Sequence, residues 1–566
     1  MPNNKRKNEP YHSKIFIAKR TSHLMFLLKL KTLLFFIPVF LIGFNPNYFE
    51  ENFPKTERGF SSKDDYFHNS LTEKKDDLYL SWTIKNKLTP LADIFIEIIR
   101  NCDQQGLNPH EYHLVEIERI LHSSTKNKNV KKLSALLTDA FLLMAAHQYA
   151  GRICSEKEGN IEWFKHVSEI NPNDSLKKVF KDGGIKKMMS SFSCKHPQYL
   201  LLQKALVEYI SIKKSGGWLK LSEKFSLKKG DENNKVLLLK KRLAMSNEIK
   251  LSPTTERIIF DTSLEESIKE FQYRHNLPIT GKIDKALILE LNIPVEKRIK
   301  QIAFNMDRWR WLQRTLPDTY IMVNIAGFDL ALKQNNRDML KMKIIAGSTF
   351  HPTPLFHSEM NYIILNPGWD IPMSIARNEI LPHLKSDNQY LIKNNIKMYE
   401  SRKPDAAIIN AEDILWSNVS SKDFNFRLRQ MSGANNPLGN IKFMFPNSSY
   451  VYFHDTPFRD LFSKTSRAFS HGCMRIEKPI ELAAFIMKKD TAWVANKLKD
   501  AIAKKREVKL TIPSQIAVYI CYWTIYVDEN GKLCFENDAY LFDNRMEEFM
   551  NSKKCIPYFG SRNSVQ

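Results

Sequence analysis

The amino-acid sequence predicts a multidomain α+β protein that is helical in its N-terminal half and mainly β in its C-terminal half. A chain of 566 residues is too long for a single hydrophobic core, so roughly two to four domains are expected. Apolar residues recur at helical spacing from about residue 78 to residue 293. From residue 319 onward the apolar period is two, which is typical of β-strands.

The first 45 residues have the pattern of an export signal. A basic leader precedes an apolar run at residues 33–44. Lys29 and Lys31 interrupt any extension of this run, so it is short for a membrane-spanning helix. Because no clear small-residue cleavage site follows, residues 1–45 are interpreted either as a cleaved signal peptide or as an uncleaved signal-anchor.

The helical half divides into four parts. Residues 46–77 are polar and rich in charge, and we interpret them as a linker. Residues 78–232 have helical periodicity without a catalytic constellation, and they are predicted to form a helical scaffold domain. Residues 233–293 contain three helical segments and a glycine turn, which predicts a compact three-helix unit. Residues 294–318 are predicted to form a connecting helix.

The C-terminal half is predicted to be one mainly β domain at residues 319–545, followed by a tail at 546–566. Residues 373–436 interrupt the strands with a helical and irregular pattern, and we interpret them as an insertion that covers the site as a lid. The turn signal Asp528–Gly531 lies between two apolar runs and predicts a hairpin.

Composition limits the functional classes. The net charge of +23 is compatible with attraction to an anionic membrane or polymer. The sequence has no zinc-finger spacing, no RNA-recognition aromatic motif and no basic heptads, so no nucleic-acid partner is expected. The seven cysteines are an odd number without C-x-x-C spacing, as expected if one thiol stays free. Cys521 and Cys534 flank the predicted hairpin, and they either form a disulfide or remain free thiols.

The most specific chemical signal is a histidine and a cysteine on either side of a loop. His454 ends an aromatic strand, and a tight turn from Ser470 through His471 and Gly472 presents the thiol of Cys473. Imidazole can take the thiol proton, and the resulting ion pair is expected to lower the pKa of the cysteine. Glycine permits the sharp turn beside the sulfur. Amide N–H groups of such a turn can face a developing oxyanion.

This pattern resembles the active site of the L,D-transpeptidases, whose catalytic domain is of the YkuD type. The family signature is a histidine, a spacer, and Ser/Thr-His-Gly-Cys followed by a hydrophobic and a polar residue. Met474 and Arg475 occupy the last two positions here. Arginine replaces the commoner asparagine in the large periplasmic, YcbB-like branch, so the resemblance is to that branch.

The resemblance extends over nearly everything after the linker. The unit at 233–293 is similar to the three-helix peptidoglycan-binding module, although a purely structural helical unit is the alternative. The motifs that carry this similarity are Phe271-Gln272, Leu277, Gly281 and Ile283. Other motifs in family order are Gly216-Gly217-Trp218, Arg308-Trp309-Arg310-Trp311, Asn366-Pro367, Lys442-Phe443 and His454-Asp455-Thr456-Pro457. The resemblance therefore implies a scaffold domain, a peptidoglycan-binding-like domain and a YkuD-type catalytic domain.

The resemblance implies acyl transfer through a cysteine thioester. Cys473 would attack the carbonyl that follows the third residue of a peptidoglycan stem tetrapeptide, and His454 would pass the thiol proton to the departing D-alanine. The side-chain amine of diaminopimelate from a second stem would then take the acyl group. Carbapenem-type inhibitors are expected to acylate the same cysteine. A zinc site of His454, His471 and Cys473 would lack a nearby fourth ligand, and no metal or other cofactor is expected.

The family pattern also implies roles for neighbouring residues. The main-chain carbonyl of Asp455 is expected to orient His454, with the Asp455 carboxylate as the alternative. Amides of the turn that contains His471 and Gly472 are expected to bind the oxyanion. His471 itself is interpreted either as a proton relay or as a residue that shapes the turn.

Four residues are expected to contact substrate: Arg475, Ser470, Trp369 and Tyr452. Arg475 would hold a substrate carboxylate, or it would pair with a nearby acidic side chain. The expected location is the periplasm, with inner-membrane association if the signal is retained as an anchor. Two alternatives to cross-linking remain open. One is a non-catalytic wall-binding scaffold, and the other is the same acyl-enzyme used for carboxypeptidase trimming or for attaching a protein to the wall.

Overall fold

The computed structural model describes residues 82–123, 129–152, 170–252, 257–403, 405–487 and 491–551. The predicted signal or anchor, the linker and most of the C-terminal tail lie outside these residues, as do Cys154 and Cys555. In the part of the chain that the structure describes, no helix has both the length and the apolar character needed to cross a membrane.

The N-terminal part is helical, as the sequence predicts. A short hairpin of β1 (Thr83–Ile84) and β2 (Lys87–Leu88) precedes the first helix. Thr89 caps that helix, since its hydroxyl accepts a hydrogen bond from the Ala92 N–H at 3.3 Å. The helices of this part are Pro90–Arg100, Leu114–Leu121, Val130–Ala150, Pro172–Asp182 and Ile185–Phe192. Their shared core contains the fully buried aromatic side chains of Trp82, Phe95 and Phe141.

The predicted three-helix unit consists of Asn234–Ala244, Thr262–Arg274 and Lys285–Leu291. The Gln272 side-chain oxygen accepts hydrogen bonds from the N–H groups of Thr280 and Gly281, at 2.9 and 2.8 Å. Gly281 has a φ of +67°, which a residue with a side chain rarely adopts. The glutamine and the glycine of the sequence motif thus fix one turn, and the unit is built around it.

A connecting helix, Val295–Arg310, follows the three-helix unit. It packs against the helix Pro197–Lys214, and both contribute to the core of the C-terminal domain. Pro197–Lys214 lies within the predicted scaffold segment, residues 78–232, yet its side chains belong to the hydrophobic core of the C-terminal domain. The helix-to-helix contact joins the N-terminal part to the β domain.

The C-terminal domain is built on a nine-stranded sheet, which confirms the prediction of a mainly β domain. Its strands are β3 (Thr319–Asn324), β4 (Asp329–Gln334), β5 (Arg337–Gly347), β6 (Phe356–Leu365), β11 (Ile441–Met444), β12 (Phe453–His454), β13 (Ala468–Ser470), β14 (Met474–Ile476) and β15 (Val508–Cys521). Their order is β13-β5-β14-β12-β11-β6-β15-β3-β4. Since β4 also pairs with β5, the sheet closes on itself. The helices Pro479–Ile486 and Thr491–Ala503 follow β14 along the chain.

The insertion between β6 and β11 has its own small core and sheet. Short helices occupy its first part: Met373–Ile375, a π-helical turn at Ala376–Ile380, Leu381–Ser386 and Tyr390–Lys393. Its strands are β7 (Trp369–Asp370), β8 (Ile396–Tyr399), β9 (Ile408–Ile409) and β10 (Arg427–Gln430). They pair in the order β7-β10-β8-β9, an antiparallel sheet that the sequence pattern does not predict.

The predicted hairpin is present as β16 (Ile525–Val527) and β17 (Leu533–Phe535), and the helix Phe542–Asn551 follows it. The three-helix unit docks on this hairpin, because the Arg274 Nε donates to the Leu533 carbonyl at 2.8 Å. Lys532 also forms an ion pair with Glu270 at 2.7 Å. Cys521 and Cys534 are both buried free thiols rather than partners in a disulfide.

The Asp307 carboxylate of the connecting helix is expected to be indispensable for stability. It is fully buried and forms ion pairs with Arg152 and Arg310, each at 2.6 Å. Burial alone would raise the pKa of Asp307, but the two guanidinium groups outweigh it and hold that pKa below its ordinary value. Asp307→Asn would remove the carboxylate that Arg152 and Arg310 share, leaving only Glu111, 3.5 Å from Arg152, as an acidic partner among the described residues, and should cost about 3–5 kcal/mol in a urea titration.

The matched control is Asp174→Asn, which removes a surface ion pair to Lys177 whose two side chains are 66% and 63% exposed. That change should leave the unfolding midpoint where it is, because exposed ion pairs contribute little. Equal effects of the two substitutions would contradict the assignment of Asp307 as the buried anchor.

Candidate active site

The histidine and the cysteine lie at two neighbouring parallel strands, β12 and β14. His454 is the last residue of β12, and Cys473 immediately precedes β14. Phe453 pairs with Met474, and His454 pairs with Arg475. Phe453 and Met474 are fully buried in the core. Because side chains alternate between the faces of a strand, His454 and Arg475 share the opposite face.

Tyr452 and Cys473 immediately precede the two strands and extend the same arrangement. The Met474 N–H donates to the Tyr452 carbonyl at 3.1 Å, which keeps the two segments side by side. The rings of Tyr452 and His454 lie 5.8 Å apart between centroids. The site therefore occupies one face of the sheet, with the thiol and the imidazole on adjacent chain segments.

The turn before Cys473 is held by hydroxyl groups. The Ser470 hydroxyl donates to the Cys473 carbonyl at 2.5 Å and accepts from the Gly472 N–H at 3.2 Å. Gly472 has a φ of +110°, so the turn requires glycine at this position. Ser470 is buried inside the turn, and its predicted contact with substrate stays a prediction.

Thr353 supports this turn from behind, and sequence reasoning missed it. The buried Thr353 hydroxyl donates to the Gly472 carbonyl at 2.8 Å and accepts from the Gly347 N–H at 2.9 Å. A Cβ at position 347 would come within 2.1 Å of the His351 carbonyl oxygen, so β5 must end in glycine here. The sequence around Thr353 offers no signal of this role, because Gly472, which its hydroxyl supports, lies more than a hundred residues away in a turn between β13 and β14.

The His454 ring is buried, and its Nδ1–H donates to the main-chain carbonyl of Asp455 at 2.6 Å. Burial lowers the pKa of His454 to about 3, and the charges of Arg475 and Lys442 act in the same direction. The carbonyl groups of Asp455 and Pro437 oppose this shift. The imidazole is therefore neutral at physiological pH, and its other nitrogen carries the lone pair.

The Asp455 carboxylate is engaged elsewhere. Its Oδ2 accepts from the Asn440 N–H at 2.9 Å, and its Oδ1 lies 3.4 Å from a guanidinium nitrogen of Arg459. A Cβ at position 439 would fall 2.5 Å from the same carboxylate, so Gly439 makes room for it. Of the two alternatives for orienting His454, the main-chain carbonyl is the group in contact with the ring.

The Cys473 thiol is partly exposed, and its Sγ donates to the Tyr450 carbonyl at 3.9 Å. Burial raises the pKa of this thiol, against the opposing effects of Tyr452 and of the Lys442 charge. Among the described residues, no hydrogen bond joins Cys473 to His454. The expectation that an ion pair lowers the pKa of Cys473 is therefore wrong for this structure, which holds a neutral thiol and a neutral imidazole.

Arg475 points its cation at the Phe458 ring, 5.8 Å from the ring centroid. Burial lowers its pKa, and its Nε has no hydrogen-bond partner. No carboxylate in the described part of the chain forms an ion pair with it. Of the two predicted alternatives, pairing with a nearby acid is thus not realised.

Trp369 and Tyr452 stand at the boundary between the sheet and the insertion. Burial raises the pKa of Tyr452, and the side chains of Cys473 and Trp369 act on this phenol in opposite directions. Trp369 belongs to β7, so a residue of the insertion lies beside this phenol. Their predicted contact with substrate stays a prediction.

The His471 side chain points away from the sheet and toward the insertion. Its Nε2 lies 3.0 Å from Oε1 of Glu379, in the π-helical turn of the insertion. Its ring is 4.9 Å from that of His351, measured between centroids. The side chain thus links the turn before Cys473 to the insertion, a role that neither sequence alternative describes.

Tyr450 is a further residue that the sequence did not single out. Its φ of +55° is unusual for a residue with a side chain, and the side chain is 85% exposed. The Asn447 side chain fixes this loop, since it accepts from the Val451 N–H at 2.9 Å and donates to the Val451 carbonyl at 2.7 Å. The loop holds the Tyr450 carbonyl at the sulfur.

Comparison with protein families identifies three domains in this chain. Residues 318–494 match the model described as "L,D-transpeptidase catalytic domain". Residues 74–206 match a "Scaffold domain", and residues 232–290 match a "Putative peptidoglycan binding domain". The three matches lie in the order that the sequence predicts, and all of the site residues described above fall within the first.

One curated relative, from Haemophilus influenzae, is named "Putative L,D-transpeptidase". It is 30% identical over 263 residues, which cover 46% of this chain and 52% of the relative. The chain therefore matches about half the length of that relative.

Two similar solved structures are an "L,D-transpeptidase from Mycobacterium smegmatis" and the "Structure of the Ldtfm-avibactam carbamoyl enzyme". Their identities to this chain are 11% and 12%, and each covers 36% of it. The matches span 58% and 49% of the two solved chains. The TM-scores are 0.17 and 0.15, which are too low for any argument about this chain.

Thr353→Val should loosen the turn that carries the thiol. Valine preserves the shape of the side chain but leaves the Gly472 carbonyl and the Gly347 N–H without their hydroxyl partner. The expected loss is about 1–3 kcal/mol of unfolding free energy in urea. Thr353→Ser keeps the hydroxyl and should retain most of the stability, whereas equal losses in the two variants would exclude the hydrogen bonds as the cause.

His454 should make the protein less stable in acid. Its pKa is about 3 in the folded protein and close to the ordinary value of about 6.5 in the unfolded chain, so between these values the unfolded state binds more protons. Its contribution to stability therefore falls as the pH drops from about 6.5 toward 3. Urea midpoints measured at intervals over this range should decline less steeply for His454→Gln than for the wild type.

His110→Gln, which changes an exposed side chain, is the matched control and should leave the wild-type slope in place. Burial also lowers the pKa values of His147, His196 and His275. These three histidines therefore contribute the same pH dependence of the urea midpoint to the wild type and to both variants. Identical slopes for His454→Gln and the wild type would contradict the assignment of a buried neutral imidazole.

Proposed function

We propose, from the L,D-transpeptidase catalytic domain at residues 318–494, that this protein is an L,D-transpeptidase that cross-links peptidoglycan stem peptides through a thioester on Cys473. The observation that carries the proposal is the juxtaposition of this partly exposed thiol with a buried, neutral imidazole on the same face of the sheet. A scaffold domain and a peptidoglycan-binding-like domain in the same chain support a cell-wall polymer as the substrate.

In the first step His454 acts as the general base. Its Nδ1–H is held by the Asp455 carbonyl, so the other ring nitrogen takes the proton from the Cys473 sulfur. The sulfur, now directed at the Tyr450 carbonyl, must turn toward the ring, and such contacts often tighten only when substrate is bound. Sulfur then attacks the carbonyl carbon, and the proton passes to the departing D-alanine nitrogen.

The turn supplies donors for the oxyanion. The Gly472 N–H already donates to the Ser470 hydroxyl, which leaves the N–H groups of His471 and Cys473 for the developing charge. Removing one such donor typically costs about 10²–10³ in rate. The buried hydrogen bonds from Thr353 and Ser470 keep these N–H groups in a fixed orientation before substrate arrives.

Substrate recognition is assigned to the open side of the same face. Arg475 is a cation without a carboxylate partner among the described residues, so it suits the carboxylate of a stem peptide. Trp369 and Tyr452 would line the donor side next to the sulfur. In the second step a diaminopimelate amine attacks the thioester, which releases the thiolate and completes the cross-link.

The proposed location is outside the cytoplasmic membrane, in the periplasm, where stem peptides are accessible. A wall-binding scaffold without catalysis is disfavoured, because the pair of His454 and Cys473 would then have no use. Water or a protein lysine could replace the diaminopimelate amine, since the acyl-enzyme is common to all three acceptors. The products, rather than the site, distinguish these outcomes.

Cys473→Ala should abolish covalent acylation without unfolding the protein. The alanine removes the nucleophilic sulfur, whereas the carbonyl and hydroxyl contacts of the turn remain. Intact-mass spectrometry after incubation with a carbapenem should show one adduct on the wild type and none on the variant. Cys534→Ala, at a buried thiol outside the site, is the control and should acylate normally; a wild type without an adduct would refute the nucleophile assignment.

Incubation with tetrapeptide stems should yield dimers joined between two diaminopimelate residues, with release of D-alanine. Mass spectrometry of the products separates this outcome from trimmed tripeptides, which would indicate hydrolysis instead. Formation of neither product by a wild type that does react with the carbapenem would overturn the proposed substrate but not the nucleophile.

A further inference from the structure

Lys442 is a cation on the catalytic face to which neither the sequence motifs nor the proposed mechanism assigns a role. It lies on β11, where it pairs directly with His454. Paired residues on adjacent strands share a face, so the Lys442 side chain lies on the side of the sheet that carries the imidazole. Its ammonium sits 3.7 Å from the centroid of the Tyr452 ring. This contact directs the amine toward the neighbourhood of the thiol.

The ammonium has no carboxylate of its own. Among the described residues it forms no ion pair or hydrogen bond, and burial lowers its pKa. The charges of Asp370, on β7, and Glu507, just before β15, favour protonated Lys442, but both carboxylates form ion pairs with Arg429. A partly buried cation without a paired anion costs free energy, and an anion that forms nearby during the reaction would offset this cost.

The candidate for this anion is the ionised sulfur of Cys473. Lys442 pairs with His454 and His454 pairs with Arg475, so the ammonium lies on the face that the Cys473 segment borders, where a charge on the sulfur favours protonated Lys442. The relation is mutual, because the lysine charge favours the thiolate. Tyr452 lies between the two groups, since its ring contacts the ammonium and its carbonyl accepts from the N–H of Met474, the residue after Cys473.

We propose that Lys442 is a positioning residue for the nucleophile, whose ammonium stabilises the Cys473 thiolate at the moment His454 removes its proton. This inference rests on the proposed function in that it assumes Cys473 is the nucleophile. It goes beyond the His–Cys pair, because it adds a fixed positive charge to the activation of the sulfur.

The charge balance of the step is complete without proton transfer at Lys442. The S–H bond breaks, the proton moves to the free nitrogen of His454, and the electron pair stays on sulfur until the bond to the carbonyl carbon forms. The negative charge then passes to the carbonyl oxygen. Lys442 also disfavours the imidazolium, which makes His454 a stronger acid toward the departing amine in the next proton transfer.

The chain offers a matched control in Lys509. Its ammonium lies over the Tyr362 ring, 4.1 Å from the centroid, and it pairs with Ile364, the residue that also pairs with Lys442. Lys509 is therefore a cation on an aromatic ring of the same sheet, two strands farther from the nucleophile. It has the same chemistry without the link to the thiol.

The test is the rate at which iodoacetamide alkylates Cys473, followed between pH 6 and pH 10 by mass spectrometry of the peptide that carries it. Lys442→Met should shift the pH profile upward and slow alkylation near pH 7.5 by roughly tenfold, the effect of one pKa unit. Lys442→Arg keeps the charge and should restore most of the rate. Lys509→Met should match the wild type throughout.

A Lys442→Met profile that coincides with that of the wild type would overturn the proposal. So would a uniform drop at every pH, which indicates a structural role, and Lys442→Gln repeats the test should the methionine variant fail to fold. Because alkylation needs no stem peptide, a wild type without transpeptidation would refute the proposed function and leave this readout intact.

Discussion

The architecture depends on one buried carboxylate that holds two guanidinium groups. Asp307 lies in the connecting helix and binds both Arg310 of that helix and Arg152 of the N-terminal part. Arg310 also donates to the Tyr199 hydroxyl at 2.8 Å, and so ties in the helix Pro197–Lys214. Because one buried carboxylate pairs with both guanidinium groups, the packing of these segments depends on Asp307. The same connecting helix reaches the β domain through Asn305, whose amide donates to the Thr524 hydroxyl at 2.8 Å.

Within the β domain, strand register determines which side chains lie next to one another at the candidate site. A single parallel pairing, His454 with Arg475, decides which side chains share the catalytic face. Burial then sets the protonation state, since it disfavours the charged forms of both the imidazole and the thiol. The resting site is consequently a neutral pair, which stores no separated charge until a substrate is present. In the proposed mechanism, the oxyanion donors and the Lys442 ammonium act on charges that exist only during the reaction.

Much of this organisation could be predicted from sequence, because local patterns determine it. The helical half, the β half, the hairpin and the turn at Gly472 each follow from periodicity or turn chemistry within a short segment. The strands of the insertion could not be predicted, since two of them have only two residues each. The direction of the Cys473 pKa shift was predicted wrongly, because it depends on burial by distant segments. Thr353 was missed because the turn that its hydroxyl supports, at Gly472, is distant in the sequence.

The free cysteines described above bear on how the protein responds to its surroundings. In the described part of the chain all the cysteines are thiols, and Cys102, Cys194, Cys521 and Cys534 are buried. Burial raises the pKa of each, which makes them slow to oxidise or to exchange. This part of the fold therefore forms without disulfide bonds, and its stability does not depend on an added oxidant or reductant. Among the described cysteines only Cys473 is partly exposed, so under the proposed function oxidation of this sulfur would stop the reaction while the buried thiols stay reduced.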